Sequence, residues 1–343
     1  MSAVYKSQPY LIAEIGVNHD GYQEKAIELI KQAHLCGCDA VKFQSFKAER
    51  LVDPTAQKVP YQLRSGTLEE SHYEMIKRLE FNDEKLKNAF EYSKEKNIDF
   101  ITTPYDVESL KEAYTLGIRK FKTASADLSD IYLHNELSKL KDIKVFIATG
   151  MSTMERIKST ISKYKVKKNN PVILHCVSDY PCSDESLNLN SLKIFKKNFP
   201  DNLIGFSDHS NGITAAIVAA SIGYEYFERH FTLNKEDDGP DHYASSDVEE
   251  MKKYVHEIKR VKKILGKSEK SIQQEELAMS KRSKKAIKSS RKIFKGESIS
   301  LENTFPMRPA EKGISIDNLE DIIGKQANCD IETNTFIQYS QII

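Results

Sequence analysis

Residues 203–230, LIGFSDHSNGITAAIVAASIGYEYFERH, contain one complete unit of the pattern that decides the fold. The apolar runs Leu203–Ser207 and Tyr224–Arg229 are short and rich in aromatic and branched residues, which predicts two strands. Gly212–Ile222 lies between them and predicts a helix. Strand, helix and strand in this order form a βαβ unit, so this stretch predicts a parallel sheet covered by helices.

The same alternation runs through the preceding 200 residues or so. Further strands are predicted at Tyr10–Gly16, Asp39–Gln44, Ile98–Thr103, Arg119–Ala124, Lys144–Thr149 and Val172–Cys176. Helices are predicted at Tyr22–Leu35, Asp83–Lys96, Val107–Leu116, Met154–Tyr164 and Leu187–Phe199. Eight strands, each followed by a helix, predict an α/β fold of the (β/α)8 TIM-barrel type. A doubly wound open sheet is the competing interpretation, but no Gly-rich dinucleotide loop follows the first strand.

The chain changes character after one more amphipathic helix, Asp247–Leu265. We predict a catalytic barrel over residues 1–265, a polar linker over 266–285 and a small, mostly β domain over 286–343. Within the barrel, Pro54–Leu79 is a long insertion after the second strand, and long βα loops of barrels are usually functional.

Charge and hydropathy exclude several classes of protein. The 343 residues include 51 basic and 50 acidic side chains, for a net charge of +1, so no overall field attracts nucleic acid. The basic stretch Lys281–Lys295 is more typical of a solvated linker than of a nucleic-acid site. No apolar run approaches the roughly 20 residues that span a membrane, and the N-terminus lacks a signal-peptide pattern, which predicts a cytoplasmic protein.

Polar groups end nearly every predicted strand, and barrel active sites lie at these C-terminal ends. Among them, Lys42 and Lys122 suit an anionic substrate such as a phosphate or carboxylate. A structural alternative is that they pair with Glu14 and Asp127. The polar residues at or just beyond strand ends include Glu14, Gln44, Thr103, Ser125, Asp127, Tyr180, His209, His230 and Asp241.

His209 and His230 end adjacent predicted strands. Neighbouring strands lie about 4.8 Å apart, so both imidazoles could reach one ion. Two neutral imidazoles suit a divalent transition metal, although a barrel histidine can also serve only as a hydrogen-bonding residue. The spacing leaves both interpretations open.

Ten motifs in order give the sequence a clear resemblance to sialic acid (N-acetylneuraminate) synthases, including legionaminic and pseudaminic acid synthases. They are AEIGVNHDG, VKFQSFKAE, TTPYD, KTASAD, ATGMST, HCVSDYP, IGFSDHS, ERHFTL, GPDH and MRPAEKG. The C-terminal segment resembles the antifreeze-like SAF domain of that family. The resemblance implies a transferase that condenses phosphoenolpyruvate with an N-acyl amino-sugar and water, and releases phosphate.

The same resemblance implies roles for individual residues. His209 and His230 would hold a divalent metal, most often Mn²⁺, with Mg²⁺ and Co²⁺ as alternatives. The site would be completed in a domain-swapped homodimer, with Arg308 reaching the partner's barrel. Glu14, Asp241 and Lys122 would act at the reacting centre, whereas phosphoenolpyruvate and the sugar would be bound by Lys42, Gln44, Thr103, Ser125, Asp127 and Tyr180.

The sequence departs from the family pattern at several positions, and one of them, Ala148, lacks a hydroxyl donor expected near the phosphate. Ala148 stands where the family usually has Ser, and Asp127 where it usually has Glu. These departures motivate an alternative, a non-catalytic paralogue that binds a sugar acid. The acceptor stays open between N-acetylmannosamine and a 2,4-diacetamido-trideoxyhexose, and Pro60–Leu63 in the insertion does not decide between them.

Overall fold

A computed structural model describes residues 8–58, 70–165, 170–308 and 313–343. The chain divides into two compact units, Met1–Lys267 and Ser268–Ile343. In the first unit, eight parallel strands close into a barrel in sequence order, which confirms the predicted TIM barrel. Among the described residues, no helix combines the length and apolar character needed to cross a membrane.

Helices follow the barrel strands in the predicted alternation. The barrel strands are β1 (Tyr10–Gly16), β2 (Ala40–Ser45), β3 (Asp99–Pro104), β4 (Lys120–Thr123), β5 (Lys144–Ala148), β6 (Val172–Cys176), β7 (Ile204–Asp208) and β8 (Tyr226–His230). The helices of this unit are α1 (Gln23–Leu35), α2 (Ala48–Leu51), α3 (His72–Arg78), α4 (Asp83–Glu95), α5 (Val107–Thr115), α6 (Ile131–Lys139), α7 (Met154–Lys165), α8 (Ser191–Asn198), α9 (Thr214–Ile222) and α10 (Val248–Leu265).

The barrel has two apolar layers because side chains alternate across each strand. One buried cluster lies inside the barrel, where Ile12, Ile101, Phe146 and Leu174 pack together. Gly205 belongs to this inner side, and a Cβ there would lie 2.6 Å from the Leu174 side chain, so only glycine fits. The intervening residues of the strands, such as Ala13, Val41, Ile147 and Phe227, belong to the larger cluster under the helices.

A buried ion pair joins the outer sides of β7 and β8. Asp208 and Arg229 are register partners, and Nη1 of Arg229 lies 3.1 Å from Oδ2 of Asp208. Arg229 also donates from Nε to Oγ of Ser246 at 2.6 Å. A buried charge without a partner is costly, so this pair strongly favours the observed register. His209 follows Asp208, and His230 follows Arg229. Because successive side chains alternate across a strand, both histidines point towards the barrel interior.

The second unit has its own small core and a short antiparallel pair of strands, β9 (Ala286–Ser289) and β10 (Thr304–Met307). Isoleucines dominate its buried cluster, including Ile287, Ile299 and Ile337. A small domain with strands and turns was predicted here. The segment predicted as a polar linker contains a helix, α11 (Glu276–Ser283), and α12 (Leu319–Ile322) lies further on. The predicted domain boundaries themselves stay predictions.

Element ends differ by a few residues from the sequence-based assignment. The predicted helix Leu187–Phe199 is only Ser191–Asn198, and the eighth strand is Tyr226–His230 rather than Tyr224–Arg229. The strand starts later because Gly223, with φ +102°, ends α9 and Tyr224 packs in the helix layer. Pro60–Leu63, in the long insertion, lies outside the described residues.

His134 should make stability depend on pH. It is buried on α6, where Nδ1 lies 2.7 Å from the Tyr164 hydroxyl of α7, and burial lowers its pKa to about 4. The unfolded chain takes up this proton below about pH 6.5, whereas the folded chain does not until about pH 4. The contribution of His134 to the free energy of unfolding should therefore be fully present above pH 6.5. It should decrease as the pH falls towards 4, by at most about 3 kcal/mol.

The measurement is urea unfolding at several pH values between 4 and 7. His134→Gln removes the ionisable group, so its free energy of unfolding should change less steeply with pH than that of the wild type. His256→Gln is the matched control, since the side chain of His256 is 71% exposed. Equal slopes for His134→Gln and the wild type would contradict the assignment.

Candidate active site

The inward side of most strands is polar near the C-terminal end of the barrel. Glu14 lies two residues beyond Ile12, Lys42 two beyond Ala40, and Glu228 two beyond Tyr226, so each points inward like its apolar predecessor. Thr103, Lys122 and Cys176 stand in equivalent positions on β3, β4 and β6. The inner apolar cluster is thus covered by a layer of charged and polar groups.

Two lysines and two glutamates form the centre of this layer. Nζ of Lys42 lies 2.7 Å from Oε2 of Glu14 and 3.7 Å from Oε2 of Glu228. Nζ of Lys122 lies 3.5 Å from Oε1 of Glu228. Lys42, Glu14 and Glu228 are each exposed by 2% or less, so solvent screens these charges very little. The structural alternative, that the lysines pair with Glu14 and Asp127, is confirmed for Lys42 with Glu14, whereas Lys122 forms its ion pair with Glu228.

Hydrogen bonds hold this cluster from neighbouring strands. Lys42 donates to Oγ1 of Thr103 at 3.2 Å, and Gln44 donates from Nε2 to Oε1 of Glu14 at 3.2 Å. Ser207 donates to Oε1 of Glu228 at 2.8 Å. The predicted residues Glu14, Lys42, Gln44, Thr103 and Lys122 are therefore brought together by β1 to β4.

The two glutamates have opposite shifts in pKa. Burial would raise the pKa of Glu228, but Lys122 and Lys42 hold it at about 2. Burial raises the pKa of Glu14, and the negative charge of Glu228 adds to that rise. Burial would lower the pKa of Lys122, but Glu228 and Glu14 hold it above its usual value. Glu228 is thus a fixed counter-ion, whereas Glu14 is the carboxyl group of the pair whose pKa is raised.

Next to Lys122 is a small cradle around Gly150. The Gly150 N–H donates to Oγ of Ser125 at 3.1 Å, and that hydroxyl lies 3.0 Å from Sγ of Cys176. A Cβ on Gly150 would lie 2.8 Å from Ser125 Oγ and 2.9 Å from Cys176 Sγ, and closer still to Ser178 Oγ. Small polar groups around a backbone N–H, beside a lysine, form an environment that suits a phosphate group.

Ala148 is buried beside this cradle, and its methyl group contributes no donor. The hydroxyl groups of Ser125 and Ser178 are the side-chain donors around Gly150. Ser125 was predicted, but Ser178 was not assigned a role from the sequence.

The two predicted metal ligands lie close together. The ring centroids of His209 and His230 are 5.7 Å apart, and the ring of Tyr180 lies 4.1 Å from that of His209, tilted by 36°. Nδ1 of His209 donates to the Val177 carbonyl at 2.7 Å, and Nε2, which lies 3.4 Å from Oγ of Ser207, is the ring atom that could bind a metal. Nδ1 of His230 is buried and has no hydrogen bond to any of the described residues.

Burial makes both imidazoles neutral. It lowers the pKa of His209 to about 4, and it holds the pKa of His230 well below the ordinary value, with His209 contributing to the shift. Oδ2 of Asp241 lies 3.7 Å from Nδ1 of His230. Neutral imidazoles with a nearby carboxylate, one ring atom having no other partner, fit a divalent transition metal.

Asp241 lies in the segment after β8. A Cβ on Gly16 would lie 3.6 Å from Oδ2 of Asp241 and 3.1 Å from Oε1 of Glu14, so both carboxylates lie close to this glycine. Burial raises the pKa of Asp241 to about 6, and Glu14 adds to the rise. Asp241 and Glu14 are thus two neighbouring carboxyl groups whose pKa values are both raised.

Two predicted residues remain, Asp127 in the first unit and Arg308 in the second. Asp127 is in the 3-10 turn Ser125–Ser129, where burial and Asp130 raise its pKa to about 6. Its atom Oδ2 accepts no hydrogen bond from the described residues. Arg308 is exposed and follows β10 in the second unit.

Glu228 is the main site residue that sequence reasoning left without a role. The ERH motif contains Glu228, but only His230 was assigned a role, because histidine is a common metal ligand. The strand period carries the missing signal, because Glu228 and His230 are two residues apart and must share the inward side. Cys176 was missed for a similar reason, since its inward position follows from Leu174.

Active sites of (β/α)8-barrel enzymes lie at the C-terminal ends of the strands, which is where this chain has its layer of charged groups. The fold and the site together are therefore those of a barrel enzyme. Comparison with family models gives the particular family. The NeuB family model matches residues 29–270, and the SAF domain model matches residues 284–343. The chain therefore belongs to the NeuB family.

Named relatives extend over nearly the whole chain. The chain is 34% identical over 339 residues to N,N'-diacetyllegionaminic acid synthase of Legionella pneumophila. This alignment covers 97% of this chain and 94% of the relative. The enzyme of the same name from Campylobacter jejuni is 34% identical and covers 96% of this chain and 98% of the relative. A solved N-acetylneuraminic acid (sialic acid) synthetase from Leptospira borgpetersenii aligns with a TM-score of 0.69 and 31% identity, over 80% of this chain and 90% of that one.

Removing the charge of Glu228 should strengthen anion binding. Glu228→Gln keeps a group that can accept from Ser207 but leaves Lys42 and Lys122 with one counter-ion fewer. One charge near an anion is worth on the order of 1 kcal/mol or more in a partly screened site, so inorganic phosphate should bind at least several-fold more tightly. Titration calorimetry with phosphate measures this.

Glu225→Gln is the control, because Glu225 lies just before β8, at the opposite end of the barrel. Its phosphate affinity should equal that of the wild type. Unchanged or weaker phosphate binding by Glu228→Gln would show that Glu228 does not neutralise the lysines.

Proposed function

We propose that the chain is a nonulosonic acid synthase, a transferase that condenses phosphoenolpyruvate with an N-acyl amino-sugar and water, and releases phosphate. The observation that carries this proposal is the buried Lys42–Glu14–Glu228–Lys122 cluster beside the Gly150 cradle, in a chain 34% identical to N,N'-diacetyllegionaminic acid synthases. These charges suit a small ligand that carries both a phosphate and a carboxylate. The enzyme is proposed to work in the cytoplasm.

Phosphoenolpyruvate has two anionic ends, and the site offers two cationic groups. Its phosphate would lie at Gly150, Ser125 and Ser178, next to the ammonium group of Lys122. Its carboxylate would lie near Lys42 and Thr103. Binding in this orientation would place the enol carbons between these groups and Glu14, and fixed charges stabilise charge that develops during the reaction.

The reaction forms one carbon–carbon bond and breaks one carbon–oxygen bond. The methylene carbon of phosphoenolpyruvate attacks the aldehyde carbon of the open-chain sugar, and positive charge develops at the enol ether carbon. Water adds at that carbon, and the resulting tetrahedral intermediate expels phosphate to leave a keto acid. Glu14 and Asp241, whose pKa values are raised, are the groups proposed to take the proton from water and to return one to the sugar oxygen.

A divalent metal, which we propose to be Mn²⁺, would be held by Nε2 of His209 and Nδ1 of His230, with Asp241 nearby. When bound, such an ion supplies Lewis-acid polarisation of the sugar carbonyl. The chain itself orients the two rings through Val177 and Tyr180. Because both imidazoles are neutral, no proton has to leave them before they bind a cation.

The acceptor is proposed to be a 2,4-diacetamido-trideoxyhexose, in line with the names of the 34%-identical relatives. N-acetylmannosamine is the second candidate, because the structural relative from Leptospira is a sialic acid synthetase. Gln44 and Tyr180 are the residues proposed to face the sugar. A non-catalytic paralogue is the remaining alternative, motivated by Ala148 and Asp127.

The experiment is phosphate release from phosphoenolpyruvate with Mn²⁺ and each acceptor in turn. His209→Ala should lower turnover by at least about 100-fold, and a chelator should abolish the wild-type activity, because the carbonyl then lacks its Lewis acid. His256→Ala should behave as the wild type, since His256 is exposed on α10. A fully active His209→Ala protein would contradict the metal site, and no release with any acceptor would favour the paralogue.

We also propose that the enzyme is a domain-swapped homodimer in which Arg308 completes the partner's site. Exposed Arg308 lies in the second compact unit, and residues 266–285, between α10 and β9, are polar and mostly exposed. The proposal predicts complementation between two inactive variants. A mixture of His209→Ala and Arg308→Ala chains, refolded together, should recover activity, because one barrel of each mixed dimer then has both residues intact.

Each variant alone serves as the control and should stay inactive. If Arg308 acted on its own barrel, every barrel in the mixture would lack one residue, and no activity would return. Size-exclusion chromatography with light scattering checks that mixed dimers form.

A further inference from the structure

Outside the proposed catalytic cluster, Asp20, Asp237 and His242 form a group that resembles a metal site. Their ligand atoms all lie within 4.8 Å of one another. The ammonium group of Lys25 lies among them, 2.5 Å from Oδ2 of Asp20 and 2.5 Å from Oδ2 of Asp237. Burial would lower the pKa of Lys25, but the two aspartates hold it above its usual value. A cation is therefore already supplied by the chain itself.

This cluster joins two parts of the barrel rim that are distant in sequence. Asp20 follows β1, and Lys25 is in the first turns of α1. Asp237 and His242 lie in the segment of residues 231–247, which follows β8. His242 lies 3.0 Å from Oδ1 of Asp20 through Nε2, and 2.7 Å from Oγ1 of Thr232 through Nδ1. Ion pairs and a hydrogen bond thus hold the segment after β8 against the loop after β1.

Close packing leaves little freedom at this junction. A Cβ on Gly239 would lie 2.7 Å from Cδ2 of His242 and 3.2 Å from Oδ1 of Asp20. Asp20 itself has φ +52°, a left-handed conformation that is unfavourable for a residue other than glycine. The contacts with Lys25 and His242 stabilise this conformation.

These contacts affect the position of Asp241, because Asp241 immediately precedes His242 in the same segment. The main-chain oxygen of Asp241 accepts from Oγ of Ser245 at 2.7 Å, and that hydroxyl accepts from Nδ2 of Asn18 at 2.8 Å. On the other side, the carboxylate of Asp241 reaches to 3.7 Å from Nδ1 of His230. A shift of the segment would move this carboxylate directly, whereas Lys42, Lys122 and the Gly150 cradle lie on other strands.

We propose that Lys25 is a positioning residue whose ammonium group, by pairing Asp20 with Asp237, fixes the segment after β8 and so places Asp241 at the reacting centre. This inference rests on the proposed synthase function for its kinetic consequence. Lys25 itself does not touch the reacting groups. Its effect is transmitted through Asp237, His242 and the backbone of Asp241.

The first test compares Lys25→Met with the wild type. Removing the cation leaves two carboxylates facing each other, and displacement of a reacting group by about 1 Å can cost about 100-fold in rate. The kcat for phosphate release should therefore fall about 10- to 100-fold, while KM for phosphoenolpyruvate changes little. Lys31→Met is the matched control on the same helix, because Lys31 pairs with Glu28 at the surface, and it should not alter kcat.

A second variant separates positioning from simple loss of a side chain. In Lys25→Met/Asp237→Asn the repulsion between the carboxylates is removed, so kcat should recover several-fold relative to Lys25→Met. Lys25→Arg keeps the charge and should also retain more activity than Lys25→Met. A Lys25→Met protein with wild-type kcat would overturn the proposal.

Amide hydrogen exchange provides a readout that does not depend on turnover. In Lys25→Met, residues 231–247 should exchange at least several-fold faster than in the wild type, while β2 and β4 stay as protected as before. Unchanged exchange in this segment would overturn the proposal, even if activity fell. If the wild type released no phosphate with any acceptor, the synthase proposal would fail. The exchange experiment would still show whether Lys25 holds the segment after β8 in place.

Discussion

The structure depends on the burial of two lysines against two glutamates inside a closed barrel. Lys42, Glu14 and Glu228 are each almost fully buried, and removal of any one would leave a charge without its partner in a poorly solvated interior. Such a cluster is weak evidence for stability, since an apolar layer would fill the same space at lower cost. Its presence above an apolar inner layer is therefore best explained by a ligand that needs these charges.

The barrel provides the geometry that this cluster needs. Parallel strands in sequence order bring Glu14, Lys42, Thr103, Lys122 and Glu228 together near the C-terminal end of the barrel, next to the inner apolar layer. The outer sides of the same strands contribute as well. The Asp208–Arg229 pair fixes β7 against β8, and the residues after them, His209 and His230, then lie with ring centroids 5.7 Å apart. One alternation of side chains thus serves both the packing of the barrel and the arrangement of the site.

The fold was largely predictable because each strand and helix has its own local pattern. The eight strands were all found, with ends displaced by a few residues where a turn such as that at Gly223 intervenes. The site was predictable only in part. Motifs drew attention to His209, His230 and the lysines, but the counter-ion of Lys122 is Glu228 rather than Asp127, because the partner is set by contact across the barrel. Ser178 was missed for the same reason, because its place beside Gly150 is set by contact between different strands.

The sequence by itself determined the order of strands and helices, the family and the identity of most charged groups at the strand ends. These properties follow from periodicity and from short motifs, which are local. Only the tertiary structure decided which carboxylate pairs with which lysine, that Glu14 and Asp241 have raised pKa values while Glu228 does not, and that Lys25 joins Asp20 to Asp237. These depend on distances between residues far apart in the chain and on burial, and neither is set until the barrel has closed.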